Sequence, residues 1–452
     1  MKLIQQYDRY DVIPEKRLLG KRLAQCLHPA LPPGVHCKTL ECFDLIFRIM
    51  GPNNLAADIS VYGPCLFGLL GPSAMTVKPL LFNLFETYFL PLGDKLRTAF
   101  LGLLQGLLPG LEEGSEFFER GNSIIEKFCR AVGPEFFYTC LWQVLTHAPS
   151  VRHFGTAFIL NHFNKRRHLS TQACFFGTST AVLLESIRCL LDDNVVLVQR
   201  DTLDFVILTL PVHLVASTGS QKQQSRHGQY SHPLEGKITP LEMRNLAVAA
   251  LTVLLRKDAS LNRRLFIWLL GSQAIESADA SQHATTVARI ALHSNNVQND
   301  SDSAIQLQYF KTFSLRLLTE AMQSILQATL VLPSIVNAQT SNRSACFRPF
   351  RLMAGLLNRS EIGSLLVEHV LVDFVFFTFH MYHRLQGTSG NGGGRKSPYL
   401  SACSSESSSP VDRRSKGQKL PQQTLEMLTQ YDTCELLLIL SYELLSALRI
   451  GL

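Results

Sequence analysis

The sequence predicts an all-α protein: an α-solenoid of antiparallel helix pairs, of the degenerate armadillo- or HEAT-like kind. Three observations predict it. Apolar residues recur three and four positions apart in run after run, which defines one face of a helix. No stretch alternates apolar and polar residues as a half-buried strand does. The helical runs are about 12 to 20 residues long and are joined by short breaks, the pattern of neighbouring antiparallel helices. Stacking such pairs buries a helix that is apolar on more than one side. No strict period is visible, so the array is degenerate. A single compact helical domain is the alternative. The long stretch of chain with no change of structural class favours the solenoid.

In chain order, 38–49 carries Leu40, Phe43, Ile46 and Phe47 on one face. Residues 75–90 repeat this with Val77, Leu80, Leu81, Leu84, Phe85 and Tyr88, and Pro91 is expected to stop the helix. Residues 115–132 follow with Phe117, Phe118, Ile124, Ile125 and Phe128. Helices are then predicted over 135–146 and 151–161, separated by Ala148, Pro149 and Ser150. Next come 180–191, 195–210, 241–255 and 261–270. The last are 305–330, 351–357, 362–382 and 425–448. The segment 195–203 resembles the second helix of a HEAT repeat. On its predicted helix, Trp142 shares a face with Tyr138, Leu141 and Leu145, which assigns it to the core and not to a partner.

Three segments interrupt the pattern. Residues 217–237 and 294–302 are polar and read as exposed loops. Residues 387–423 are rich in Gly and Ser and hold six Lys/Arg against two acids. They cannot bury enough apolar area to offset the entropy of ordering. Three regions follow: a helical solenoid over 1–385, a disordered basic linker over 386–423, and a helical segment over 424–452. Ser397-Pro398 and Ser409-Pro410 in the linker are candidate phosphorylation sites, with an unmodified linker favoured.

The chain has 452 residues, 46% hydrophobic and 17% charged, with a formal net charge of +7. That charge is too small for a dedicated nucleic-acid binder but suits weak attraction to an anionic membrane face. The 11 cysteines are scattered, with no CxxC pairs, and many have apolar neighbours. Such cysteines behave as small buried hydrophobes and point to a reducing compartment, the cytosol. The N-terminus lacks the apolar core of a signal peptide. The best candidate span, 362–382, contains Glu368, His369, Asp373 and His380, so a buried helix is favoured and membrane association is expected to be peripheral.

A search for chemistry finds no GxSxG elbow, HExxH pair or phosphate loop. Gly393-Gly394-Arg395-Lys396-Ser397 lacks the glycine that must precede the lysine. His380 and His383 share a helix face without a third ligand. Glu112, Glu113, Glu116 and Glu119 could suggest paired carboxylates, but Gly114 and Ser115 mark a helix start, and Glu116 and Glu119 suit its first turn. No catalytic residue, metal site or cofactor is assigned. Arg263 and Arg264 are read as solvated surface, with an ion pair in the solenoid groove as the alternative. Lys165, Arg166 and Arg167 form a compact basic run after a helix. Cations there complement the helix dipole. The same run is the candidate contact for acidic lipids or an acidic partner.

Several long strings, in order, resemble the N-terminal region of the Dopey family. They are residues 21–36, Lys78-Pro79, 88–93, 106–116, Phe137-Tyr138, Leu141-Trp142, 196–204, 254–265 and 268–271. The similarity covers roughly 7–385. It implies a very large, non-enzymatic cytosolic scaffold, peripheral on Golgi (trans-Golgi network) and endosome membranes, acting in endosome-to-Golgi traffic. It also implies Mon2-like scaffold and phospholipid flippase partners, a kinesin link and a phosphoinositide membrane surface. The runner-up reading is a membrane module that binds phosphoinositides directly. Departures are Gly68 where proline is usual, His153-Phe154-Gly155 in place of an apolar-proline pattern, and the insertions at 217–237 and 294–302. The chain opens near the first motif and is far shorter than the family implies, the expectation for a divergent or partial product.

Overall fold

A computed structural model describes residues 13, 15–218, 232–271, 301–331, 348–357 and 359–371. Among them the secondary structure is entirely helical, with no strand. Two compact units divide the chain, Met1–Ala250 with Arg263–Trp268, and Leu251–Asn262 with Leu269–Leu452. The linker expected at 386–423 and the segment 424–452 lie outside the described residues. So do 219–231, 294–300 and the part of the candidate span beyond Leu371.

The first unit is a two-row stack. One row consists of α1 (Lys16–Cys26), α3 (Ile59–Phe67), α5 (Phe100–Leu107), α7 (Pro134–His147) and α9 (Thr180–Leu191). Each packs on the next in that order. The helices between them form the second row: α2 (Pro33–Ala57) and α4 (Lys78–Leu84), α6 (Phe118–Val132), α8 (Arg152–His162) and α10 (Val196–Thr209). A non-α stretch between α4 and α5, residues 85–99, bridges α2 to α6. Short connections join α6 to α7 and α9 to α10, and each of these pairs is in contact. Every helix of the first row meets its next-but-one neighbour, as do α2 with α4 and α8 with α10 in the second, and contacts also join sequence neighbours across the rows, which is a solenoid-like arrangement.

Pro91 does not stop the chain as the sequence implies. A π turn at Phe85–Phe89 precedes it, with Leu90 N bonding back to Phe85 O. The chain then runs through Pro91 into a 3₁₀ stretch, Leu90–Ala99. Proline has no N–H to give and crowds the preceding turn, so the helix widens before it and tightens after it. The reversal comes at Gly93, whose φ of 53° only glycine adopts freely.

Aromatic rings form the core of the first rows. Phe47 packs edge-on against Tyr62, Tyr88 and Phe89, at 5.6–5.9 Å between centroids. Phe100 continues the chain of rings to Phe128 and Phe137. Such tilted and edge-on pairs add about 0.5–1.5 kcal/mol each beyond area burial. Where α3 meets α5 the backbones touch: a Cβ on Gly106 would overlap the Phe67 carbonyl.

Trp142 is 2% exposed, the core anchor the sequence predicts. Its indole also donates Nε1–H to Phe175 O at 2.8 Å, the end of the 3₁₀ helix Leu169–Phe176. The chain's other tryptophan, Trp268 on α12 (Ala259–Leu270), donates in the same way to Leu210 O, at the end of α10. α11 (Pro240–Leu251) begins with a capping box. Thr239 N donates to Glu242 Oε2, and Glu242 N to Thr239 Oγ1.

In the second unit, α13 (Ser301–Tyr309), a π turn (Phe310–Ser314) and α14 (Leu315–Val331) form one continuous run. α14 buries Leu318, Met322 and Leu326. α15 (Arg348–Leu357) packs on it and lays Gly355 against Leu254. α16 (Ser360–Leu365) and a π turn (Leu366–Leu371) follow. Ser301 and Asp302, expected in a loop, begin α13.

Candidate functional site

The second row of the first unit is pinned by a ladder of polar contacts, one per step. Tyr88 Oη donates to Asp44 Oδ1 at 2.7 Å, joining the π turn to α2. Glu86 receives Arg120 at 2.7 Å and Lys127 at 3.2 Å, both from α6. Burial raises the Glu86 carboxyl, but these two donors outweigh it and hold the group below the usual carboxylate range. Glu126 on α6 meets His162 on α8 at 3.0 Å. Thr156 on α8 donates to Asp201 on α10 at 3.1 Å, and desolvation pushes Asp201 above its ordinary value despite that bond. Arg264 on α12 meets Asp204 on α10 at 2.8 Å. Arg264 is therefore a half-buried ion-pair donor, in place of the solvated surface favoured from sequence.

The basic run stands beside this ladder. Helix α8 ends at His162, and Phe163 follows in extended conformation with its ring buried. Phe163 packs against Phe175 and Phe205, which fixes where the loop leaves the core. Residues Asn164 to His168 are exposed. The structure thus places Lys165, Arg166 and Arg167 together, past the last helical turn. They therefore do not sit in the helix's last turn, where the helix-dipole reading would have them.

The loop's shape comes from its backbone bonds. Asn164 Oδ1 accepts from Arg166 N at 2.9 Å, and Asn164 O accepts from Arg167 N at 3.1 Å. Gln172, only 5% exposed, clamps both ends. Its Oε1 accepts from Asn164 N at 2.8 Å, and its Nε2 donates to Asn164 O at 2.9 Å and to Arg167 O at 3.2 Å. Gln172 was not singled out from sequence. The available signal was one amide residue within the apolar stretch 169–176. Among the described residues, no carboxylate pairs with Lys165, Arg166 or Arg167.

The remaining candidates do not converge on a site. Glu119 lies in the first turn of α6, which starts at Phe118, while Glu112, Glu113 and Glu116 precede it. Burial pushes the Cys65 and Cys140 thiols up to about 11 and Cys129 to about 12, which leaves them as thiols and not as nucleophiles. Among the described residues no three of His, Cys, Asp and Glu gather to hold a metal ion. None of the described helices is, by itself, long and apolar enough to cross a membrane. His380, His383 and the 393–397 string lie outside the described residues.

A stack of helices in two rows, with a clamped cationic loop at its surface, makes the first unit a helical, repeat-like one. Its family is given by comparison. The profile described as "Dopey, N-terminal" matches residues 1–274, and the chain belongs to the Dopey family. It is 35% identical over 374 residues to "Protein DOP1 homolog" of Drosophila melanogaster, covering 83% of this chain and 13% of that protein. It is 34% identical over 391 residues to "Protein DOP1B" of Mus musculus, covering 86% and 16%. Against "Protein DOP1" of Saccharomyces cerevisiae the identity is 25% over 411 residues, covering 80% and 22%. The chain therefore spans less than a quarter of the length of these relatives. No solved structure matches it.

Proposed function

We propose that this chain serves membrane traffic as a non-enzymatic scaffold, working between endosomes and the Golgi through protein partners at the cytosolic membrane face. The observation that carries the reading is the match of residues 1–274 to the Dopey N-terminal profile. The two-row stack supports it, because such stacks expose long surfaces that hold partners without chemistry of their own. Partners of the kind the family implies are a Mon2-like scaffold, a phospholipid flippase and a kinesin. The exposed cations Lys165, Arg166 and Arg167 are the proposed contact.

The test is proximity labelling in cells, with the whole chain fused to a biotin ligase and the labelled proteins identified by mass spectrometry. Enrichment of cytosolic-face Golgi and endosomal proteins, a Mon2-like scaffold among them, is the expected result. Labelling no different from that of a freely diffusing ligase overturns the proposal.

A further inference from the structure

We infer that the Lys165–Arg167 loop is a preformed docking site for an acidic peptide segment of a protein partner, and that Gln172 is its positioning residue. The inference deepens the scaffold reading above and rests on it. Three features of the structure carry it.

The first is the unspent charge. Across the ladder, Arg120, Lys127 and Arg264 each meet a carboxylate, whereas Lys165, Arg166 and Arg167 meet none among the described residues. Two guanidinium groups and an ammonium within three residues offer forked and single donors suited to carboxylates.

The second is the fixed backbone. Gln172 holds Asn164 and Arg167 with three hydrogen bonds, and the Asn164 side chain sets the turn between them. A loop already in one shape loses little freedom when a partner arrives. A bilayer's diffuse charge gains nothing from such definition, while a peptide with carboxylates at set intervals does.

The third is that the described stretch of chain around the loop brings no exposed apolar anchor of its own. The exposed large hydrophobic side chains of the described residues include Leu101 and Val195, and none falls between those two positions. Stable attachment to a membrane takes two signals, and a cationic loop alone supplies one. An acidic peptide needs no such anchor.

The experiment titrates the whole chain with a fluorescein-labelled hexaglutamate peptide and reads fluorescence anisotropy. The same proteins are sedimented with phosphatidylcholine vesicles containing about one-fifth phosphatidylserine. K165Q/R166Q/R167Q is expected to weaken peptide binding roughly tenfold or more and to leave sedimentation unchanged. Gln172→Ala, which alters no charge, is expected to weaken it about threefold, an effect that charge alone does not produce. Equal peptide affinity in the triple variant overturns the site, as does a parallel loss of vesicle sedimentation. Wild-type affinity in Gln172→Ala overturns the positioning role. The triple variant changes only exposed side chains, so it decides the site whether or not the Gln172 variant folds. A flat titration beside normal proximity labelling overturns the docking site alone and leaves the scaffold reading in place.

Discussion

Two corners of the first unit solve one problem with opposite means. Where α7 turns into α8, the carbonyls of Leu145 and Thr146 need donors. Arg152, whose side chain is 12% exposed, supplies them from Nε and Nη2 at 2.8 and 3.0 Å. Its charge is met by Asp193, 7% exposed, at 2.8 Å. Asp193 in turn accepts from Val195 N at 2.7 Å, at the start of α10. At the corner after α8 the carbonyls are those of Asn164 and Arg167, and the donor is the neutral amide of Gln172. A charged clamp must be buried with its counter-ion and is consumed by the fold. A neutral clamp needs no counter-ion, so the loop's own cations stay in solvent. The identity of the clamp, and not the local density of basic residues, decides which corner has charge to spare.

The largest expected effects test the buried side of that comparison. Arg152→Ala removes the counter-ion of buried Asp193 and is expected to cost about 3–5 kcal/mol of unfolding free energy, read by urea denaturation. Trp142→Ala is expected to cost a similar amount, about 3–5 kcal/mol, because a cavity opens and Phe175 O loses its donor. An unchanged melting temperature in either variant breaks the claim that these residues hold the core. Gln172→Ala should cost less, about 1–3 kcal/mol, since the groups it leaves unpaired lie next to solvent.

Smaller effects sharpen the exposed side. Glu86→Gln is expected to cost about 0.5–1 kcal/mol near neutral pH, the scale of a partly exposed pair. The Glu86 carboxyl is held below its ordinary value of 4.5, so its contribution is complete above that pH. It fades as the pH falls through the native value. Urea midpoints of wild type and variant should therefore converge in acid, and a gap that persists there breaks the assignment. Lys165→Gln is expected to change stability by less than about 0.5 kcal/mol. A larger loss shows the loop's charge to be structural after all.

The sequence was informative where periodicity is local. The helix predicted over 180–191 is found as Thr180–Leu191, and Trp142 lies on the buried face that its neighbours mark. Three of the described α-helices went unread. Ile59–Phe67 holds Pro64, Phe100–Leu107 holds Gly102 and Gly106, and Lys16–Cys26 is largely polar, so each looks like a break. In the structure Gly106 is the contact itself, where two backbones meet. Lys165, Arg166 and Arg167 were visible as a string of like charges. Their availability was not, because it depends on Gln172 and on which carboxylates are spent elsewhere. Asp193 lies 41 positions from Arg152 and Asp204 lies 60 from Arg264, distances over which pattern carries no signal.

The ladder along the second row also has a mechanical side. Its rungs act in series, so a pull along the row loads every pin in turn and the weakest yields first. The Arg120–Glu86 and Lys127–Glu86 rungs are partly exposed ion pairs and so open to screening by salt, whereas Tyr88–Asp44 and Thr156–Asp201 have neutral donors. Added salt should therefore loosen the step between the π turn and α6 before the step between α8 and α10. In a pulling experiment, the force at which the row first lengthens should fall as ionic strength rises.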